Sequence, residues 1–156
     1  MTQKYISQKD KQLVFIDLCG RLPYHAHVKI WLKDGTTEEG FLDLEHNYAD
    51  VLRDAFYYNK IKDIKPYLRP MSSMTDEEMN ELKTLCSIYI PTDSPTIGFE
   101  EYGIIIFTHH LTNNTYSFKL NVNVIDWLNK NMFDYRGLIP QNLAIEITEE
   151  NNPYKN

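Results

Sequence analysis

Asp63-Ile-Lys-Pro-Tyr-Leu-Arg-Pro-Met-Ser-Ser-Met-Thr-Asp-Glu-Glu78 punctuates the chain near its middle and then writes the start of a helix. Pro66 and Pro70 each fix φ, and they bias Lys65 and Arg69 toward extended backbone. Thr75 stands three residues before Glu78, the spacing of a capping box. Asp76 and Glu77 put negative charge where a helix N-terminus favours it. The run reads as a junction: extended chain up to about residue 70, then a helix from Thr75 to about Tyr89, closed by Pro91.

Working upstream, Ser7 with Asp10 three residues on predicts a second N-cap and a helix over 8–19. Leu13, Ile16, Leu18 and Cys19 set its apolar face, widened by Val14 and Phe15; Gly20 offers a left-handed stop and Pro23 prevents resumption. From His27 the period becomes two, with Val28, Ile30 and Leu32 alternating against Lys29, Trp31 and Lys33. Asp34-Gly35 is a tight-turn dipeptide, and the following strand alternates through Glu45, with Gly40 marking a bulge or bend. Short strands are expected over 48–53 and 55–58, and residues 61–68 make a further strand or a 3₁₀ turn.

Downstream of the junction, Met79, Leu82, Leu85 and Cys86 share one helix face, and 91–98 has a loop composition. Residues 102–108 are the most apolar strand candidate and pair with 115–120 across 109–114. Asn121 or Asn123 caps a third helix reaching 132, anchored by Val124, Trp127 and Leu128. Gly137 ends that unit, 143–147 reads as a closing strand, and the polar tail 149–156 should fray.

The 156 residues suffice for one domain or two very small ones, and 42% apolar residues are enough for a core. A net charge of −6 gives no general attraction to phosphate backbones, so nucleic acid is not an expected partner. Cys19 and Cys86 lie beside leucines in helical contexts and read as two buried thiols in a reducing compartment. The first residues lack the apolar core of a signal peptide and no stretch reaches the length of a membrane span, so a cytoplasmic protein is expected, with no membrane partner.

His25 and His27 are two apart; on a strand both rings would share one face, the weak beginning of a metal site. Further ligands are not signalled, and neither a metal nor another cofactor is expected. The adjacent His109 and His110 would point to opposite faces beside a turn. Acidic pairs such as Glu38-Glu39 and Glu77-Glu78 read as solvated faces or helix-start charges rather than an acid–base pair facing one cleft. No phosphate-binding glycine loop, nucleophile elbow or His-Glu-x-x-His pattern occurs, so no catalytic residue is assigned and an enzyme is not the leading expectation.

Two binding candidates remain. Phe133-Asp-Tyr-Arg-Gly137 reads first as a structural corner, with Arg136 paired to a carboxylate, Tyr135 packed and Gly137 in a left-handed turn. The alternative makes Tyr135 and Arg136, with Trp127, an anchor for a protein partner, because aromatics and arginine dominate interface energetics. A single-stranded nucleic-acid surface would instead combine Lys60, Lys62, Lys65 and Arg69 with Tyr57, Tyr58 and Tyr67 as stacking rings.

Residues 28–33, Asp34-Gly35 and residues 40–45 resemble the strand pair of Sm-like and SH3-like small barrels over the first 70 residues. That resemblance implies a small closed barrel, although Asp50-Val-Leu-Arg-Asp-Ala does not supply the Asn-containing RNA loop of the Sm pattern. Asp17-Leu-Cys-Gly-Arg-Leu-Pro-Tyr24, residues 64–75 and residues 126–139 are similar to blocks in a family of uncharacterised proteins from gut Bacteroidetes and their prophages. The likeness implies a phage or mobile-element context and no particular activity.

Together these readings predict an α+β protein forming one compact domain over 1–156. An N-terminal helix packs on a bent antiparallel sheet in 1–70, and two further helices, a strand pair and the closing strand occupy 71–148. The function expected is a non-enzymatic protein-interaction protein. A single-stranded nucleic-acid-binding barrel and an unrecognised metal-dependent enzyme are the alternatives.

Overall fold

The computed structural model describes residues 7–42, 50–51, 53–54, 60–86, 96–100, 104–108, 115–119 and 121–155, the strands between 96 and 119 as backbone. Tyr57, Tyr58, His109 and His110 lie outside the described residues. The chain is α+β and divides into two compact units, one of residues 1–69 and 137–156, the other of residues 70–136. The expected boundary near residue 70 is where the chain passes into the second unit. Residues 137–156 return to the first unit.

In the first unit, α1 (Gln8–Arg21) starts at the predicted cap. The Asp10 N–H donates to Ser7 Oγ at 3.1 Å and the Ser7 N–H to Asp10 Oδ2 at 3.3 Å, a reciprocal box. The helix does not stop at Cys19. It continues through Gly20 so that Arg21 lies one turn beyond Asp17, where its Nε and Nη2 donate to the two carboxylate oxygens at 2.7 and 3.0 Å. The buried stripe is therefore Val14, Asp17, Leu18 and Arg21. Phe15, Ile16 and Cys19, placed on the apolar face by the sequence, are exposed instead. The buried ion pair rotates the stripe away from them.

A 3₁₀ turn over Leu22–Tyr24 follows, and the left-handed residue that ends it is His25, at φ 54°, not Gly20. Then come β1 (His27–Leu32), β2 (Thr37–Phe41), β3 (Ile61–Leu68) and, after the second unit, β7 (Ile145–Glu146). The sheet order is β2-β1-β3-β7. β1 pairs antiparallel with β2 and β3, while β7 runs parallel to β3. This mixed sheet is open among the described residues, so the barrel closure implied by the Sm-like and SH3-like resemblance is not seen in them. β7 pairs from Tyr67 onward, past the missing N–H of Pro66.

The predicted turn is present: Gly35 has φ 92°, and Asp34 Oδ1 accepts from the Thr36 N–H at 2.8 Å and from Thr36 Oγ1 at 2.6 Å. Gly40 pairs in regular register with Val28; the register shift falls at Trp31/Leu32 against β3 instead. Asp50, Val51 and Arg53 have helical backbone where short strand was expected, as does Asp54 after them, with an Asp50–Arg53 ion pair at 2.6 Å. Val28 and Ile30 of β1 and Ile64 and Leu68 of β3 are buried, as are Val14 and Leu18 of α1.

The tail is tied down rather than frayed. The Thr148 N–H donates to Asn151 Oδ1 at 2.7 Å and Asn151 Nδ2 donates to the Glu146 carbonyl at 3.0 Å. Tyr154 Oη then accepts from the His27 N–H at 2.8 Å and donates to the Tyr67 carbonyl at 3.3 Å.

In the second unit, α2 (Asp76–Leu85) begins at the predicted box, with the Glu78 N–H on Thr75 Oγ1 at 3.2 Å and the Thr75 N–H on Glu78 Oε2 at 2.9 Å. Thr75→Ala removes the Oγ1 acceptor of that exchange, leaving the Thr75 backbone N–H on Glu78, and is expected to cost the second unit about 1 kcal/mol in denaturant melts. A meander of β4 (Thr96–Glu100), β5 (Ile104–Thr108) and β6 (Thr115–Lys119) follows, antiparallel with β5 central. β4 was read as loop, because Pro95 and Gly98 mask a short alternation.

Helix α3 (Val122–Lys130) is capped by Asn121, whose Oδ1 accepts from the Val124 N–H at 3.0 Å. It ends in a Schellman motif. Met132 is left-handed at φ 57°, the Phe133 N–H reaches the Leu128 carbonyl at 3.0 Å and the Met132 N–H reaches that of Asn129 at 3.1 Å. The same pairing recurs in the first unit, at 138–143 around left-handed Asn142. The core of this unit is Leu82, Val124, Trp127, Leu128, Phe133 and Tyr135.

Candidate functional site

The register of the first unit's sheet places one set of β1 side chains on the face opposite Val28 and Ile30. His27 lies across from Phe41, Lys29 is flanked by Glu39 and Lys65, and Trp31 is flanked by Thr37 and Asp63. Tyr67, two residues beyond Lys65 on β3, completes the His27 row: its ring centroid is 5.1 Å from that of His27, and Phe41 is 4.8 Å away on the other side, both edge-on. The Tyr154 ring lies 6.0 Å from Phe41. Phe41 is 50% exposed and Trp31 is half-buried, so the face offers apolar area to solvent.

The charges of this face are largely spent on one another. The Lys29 ammonium pairs with Glu39, which also accepts from the Tyr67 hydroxyl. The Lys29 hydrogen bond holds the Glu39 carboxyl below the usual range, and Glu39 in turn raises Lys29. Lys65 Nζ donates to Asn142 Oδ1 at 2.9 Å and lies 3.8 Å from Asp63 Oδ2. Burial pushes Asp63 up, opposed in part by Lys65. Lys29 and Lys65 each set Nζ 5.7 Å from the Trp31 ring centroid, so two ammonium groups lie against the indole.

The structure disperses the sequence candidates. Lys65 and Tyr67 share the face just described, but Tyr67 is only 7% exposed and offers no open ring for stacking. Lys60 pairs with Asp54 at 3.7 Å, Lys62 is exposed at the register shift, and Arg69 follows the end of β3. His25 is exposed and left-handed, before the strand begins, so the condition for a shared strand face with His27 is not met. Among the described residues no group of three or more His, Cys, Asp or Glu could hold a metal ion.

In the second unit, Trp127 and Tyr135 are core residues. Trp127 stacks on Phe133 at 5.6 Å and the Tyr135 hydroxyl donates to Asn129 Oδ1 at 3.1 Å. The Arg136 guanidinium lies 4.9 Å from the Tyr135 ring, and Gly137 has φ 69°. Cys86 is half-buried, which pushes its thiol up, and the chain's two cysteines form no disulfide.

The sequence missed Trp31, Phe41, Lys29 and Glu39 as a group. Their alternation was visible, but which strands flank β1, and in what register, was not.

No family model matches the chain, and neither do any curated proteins or solved structures. Among the described residues no helix is long and apolar enough to cross a membrane.

Proposed function

We propose that this is a non-enzymatic interaction protein that binds another protein through the open sheet face of the first unit. The observation that carries the reading is Trp31 and Phe41 displayed on a face whose lysines are already paired. Exposed aromatics surrounded by compensated charge match the composition of interface centres, where unpaired charge is depleted. The same pairing weakens the nucleic-acid alternative: Lys60 and Lys65 each lie by a carboxylate, so a phosphate would have to displace an existing partner. A phage or mobile-element origin and a cytoplasmic place of action belong to this proposal and rest on the sequence blocks described above and on the two free thiols.

The test is capture from host lysate by the wild type and by the Trp31→Ala/Phe41→Ala double variant. Capture of a specific protein, weakened at least about tenfold by the double substitution, is the expected outcome; tenfold corresponds to about 1.4 kcal/mol. Failure to enrich any specific protein, or equal capture by both chains, overturns the reading. A mobility shift of single-stranded nucleic acid at low salt that disappears as salt rises would replace it with the nucleic-acid alternative.

A further inference from the structure

The His27 imidazole has a feature that packing alone does not explain. Its Nδ1 is buried and has no hydrogen-bond partner. The ring is held edge-on between Phe41 and Tyr67, and the backbone N–H of the same residue is what the Tyr154 hydroxyl grips. The ring of Phe41 touches both His27 and Tyr154. One residue thus joins the aromatic corner of the sheet to the C-terminal segment.

We propose that His27 is the proton-sensitive latch of a C-terminal strap: on acidification, residues 148–154 detach from the ends of β1 and β3 and uncover the corner formed by Phe41 and Tyr67. The proposal stands whether or not the face binds a partner.

The physical basis is the cost of charging the imidazole where it sits. An imidazolium carries N–H donors on both nitrogens, and the one at Nδ1 would be dry and without an acceptor. The titratable groups around the ring are Glu39 on β2, whose charge acts on it, Tyr67 on β3, whose ring lies against it, Lys29 two residues along its own strand face, and Tyr154 on the strap, whose hydroxyl holds the His27 backbone N–H. Behind Tyr154, Asp17 and Arg21 of α1 neutralise each other. Glu39 favours the charged ring, but its carboxylate already serves Lys29 and the Tyr67 hydroxyl. Burial outweighs it and holds His27 below the ordinary 6.5.

The released imidazole therefore binds a proton more readily than the latched one. The strap's attachment is complete above about pH 6.5 and is lost as pH falls through the lower, latched value. Within that window the release equilibrium shifts by at most about tenfold per pH unit. Tyr154 stays neutral throughout, because burial pushes its hydroxyl up to about 12.

Hydrogen exchange of the full chain at pH 7.5 and 5.5, corrected for intrinsic rates, tests the latch. Protection of the peptide covering 148–156 is expected to fall at least about fivefold at the lower pH in the wild type and to stay level in His27→Gln. Equal protection at both values in the wild type, or the same loss in both chains, overturns it. Should His27→Gln loosen the strap at either pH, NMR of the wild type decides. The ring signals of His27 and Tyr154 are expected to move with one shared midpoint below 6.5, and a Tyr154 ring that does not follow His27 sinks the proposal.

Discussion

Arg21→Ala is expected to destabilise the first unit by about 3–5 kcal/mol, a loss large enough to threaten folding of a domain with an ordinary margin of about 5–15 kcal/mol. Arg21 and Asp17 both have side chains with no solvent exposure, and the guanidinium meets both carboxylate oxygens. Truncating the arginine leaves the carboxylate buried without that counter-ion. The cost is the stranded charge, and it exceeds the net worth of the pair. Replacing both partners by apolar residues, as in Asp17→Leu/Arg21→Met, removes the charge along with its counter-ion and is expected to recover most of the loss. Urea melts followed by far-UV circular dichroism compare the three chains. A cost below about 1 kcal/mol for Arg21→Ala would mean that water reaches the pair.

Phe133→Ala is expected to cost the second unit about 3–5 kcal/mol. Phe133 is fully buried and stacks on Trp127 with the ring planes 19° apart. It occupies that place because the chain reverses at left-handed Met132 immediately after α3, so neighbouring backbone is committed and cannot close the cavity. Trp127 reports the event directly: its emission should shift to longer wavelength and its unfolding midpoint should fall. A Trp31→Phe background removes the signal of the other unit. Val122→Ala, at a position 68% exposed, is the matched control and is expected to change stability by no more than about 0.5 kcal/mol. Similar midpoints for the two variants would overturn the placement of Phe133 in the core.

Both large effects fall where the sequence was half legible. The helix holding Asp17 and Arg21 was visible from its Ser7 cap, and Val14 and Leu18 from its apolar pattern, yet the charged half of its buried side was missed, because a charged pair at i and i+4 looks like a solvated face until both ends are seen to be buried. The α3 helix was visible from Asn121, yet its end was placed two residues late. A methionine in left-handed backbone has no sequence signature comparable to that of glycine. Trp31 and Trp127 look alike in the sequence. One lies half-buried beside two lysines on a sheet face and the other in a core, and only strand register and helix packing separate them.

By itself the sequence determined what is local: the capping boxes at Ser7 and Thr75, the Asp34-Gly35 turn, the period-two runs of β1 and β2, and the break before residue 70. Each is an exchange among residues a few positions apart, so spacing alone encodes it. Tertiary structure decided the rest: the parallel docking of β7 on β3, the return of 137–156 to the first unit, the burial of Asp17 with Arg21, and the gathering of His27, Phe41, Tyr67 and Tyr154 into one corner. Those contacts join residues far apart in the chain, and their free energy comes from surfaces that exist only once the strands have chosen their neighbours.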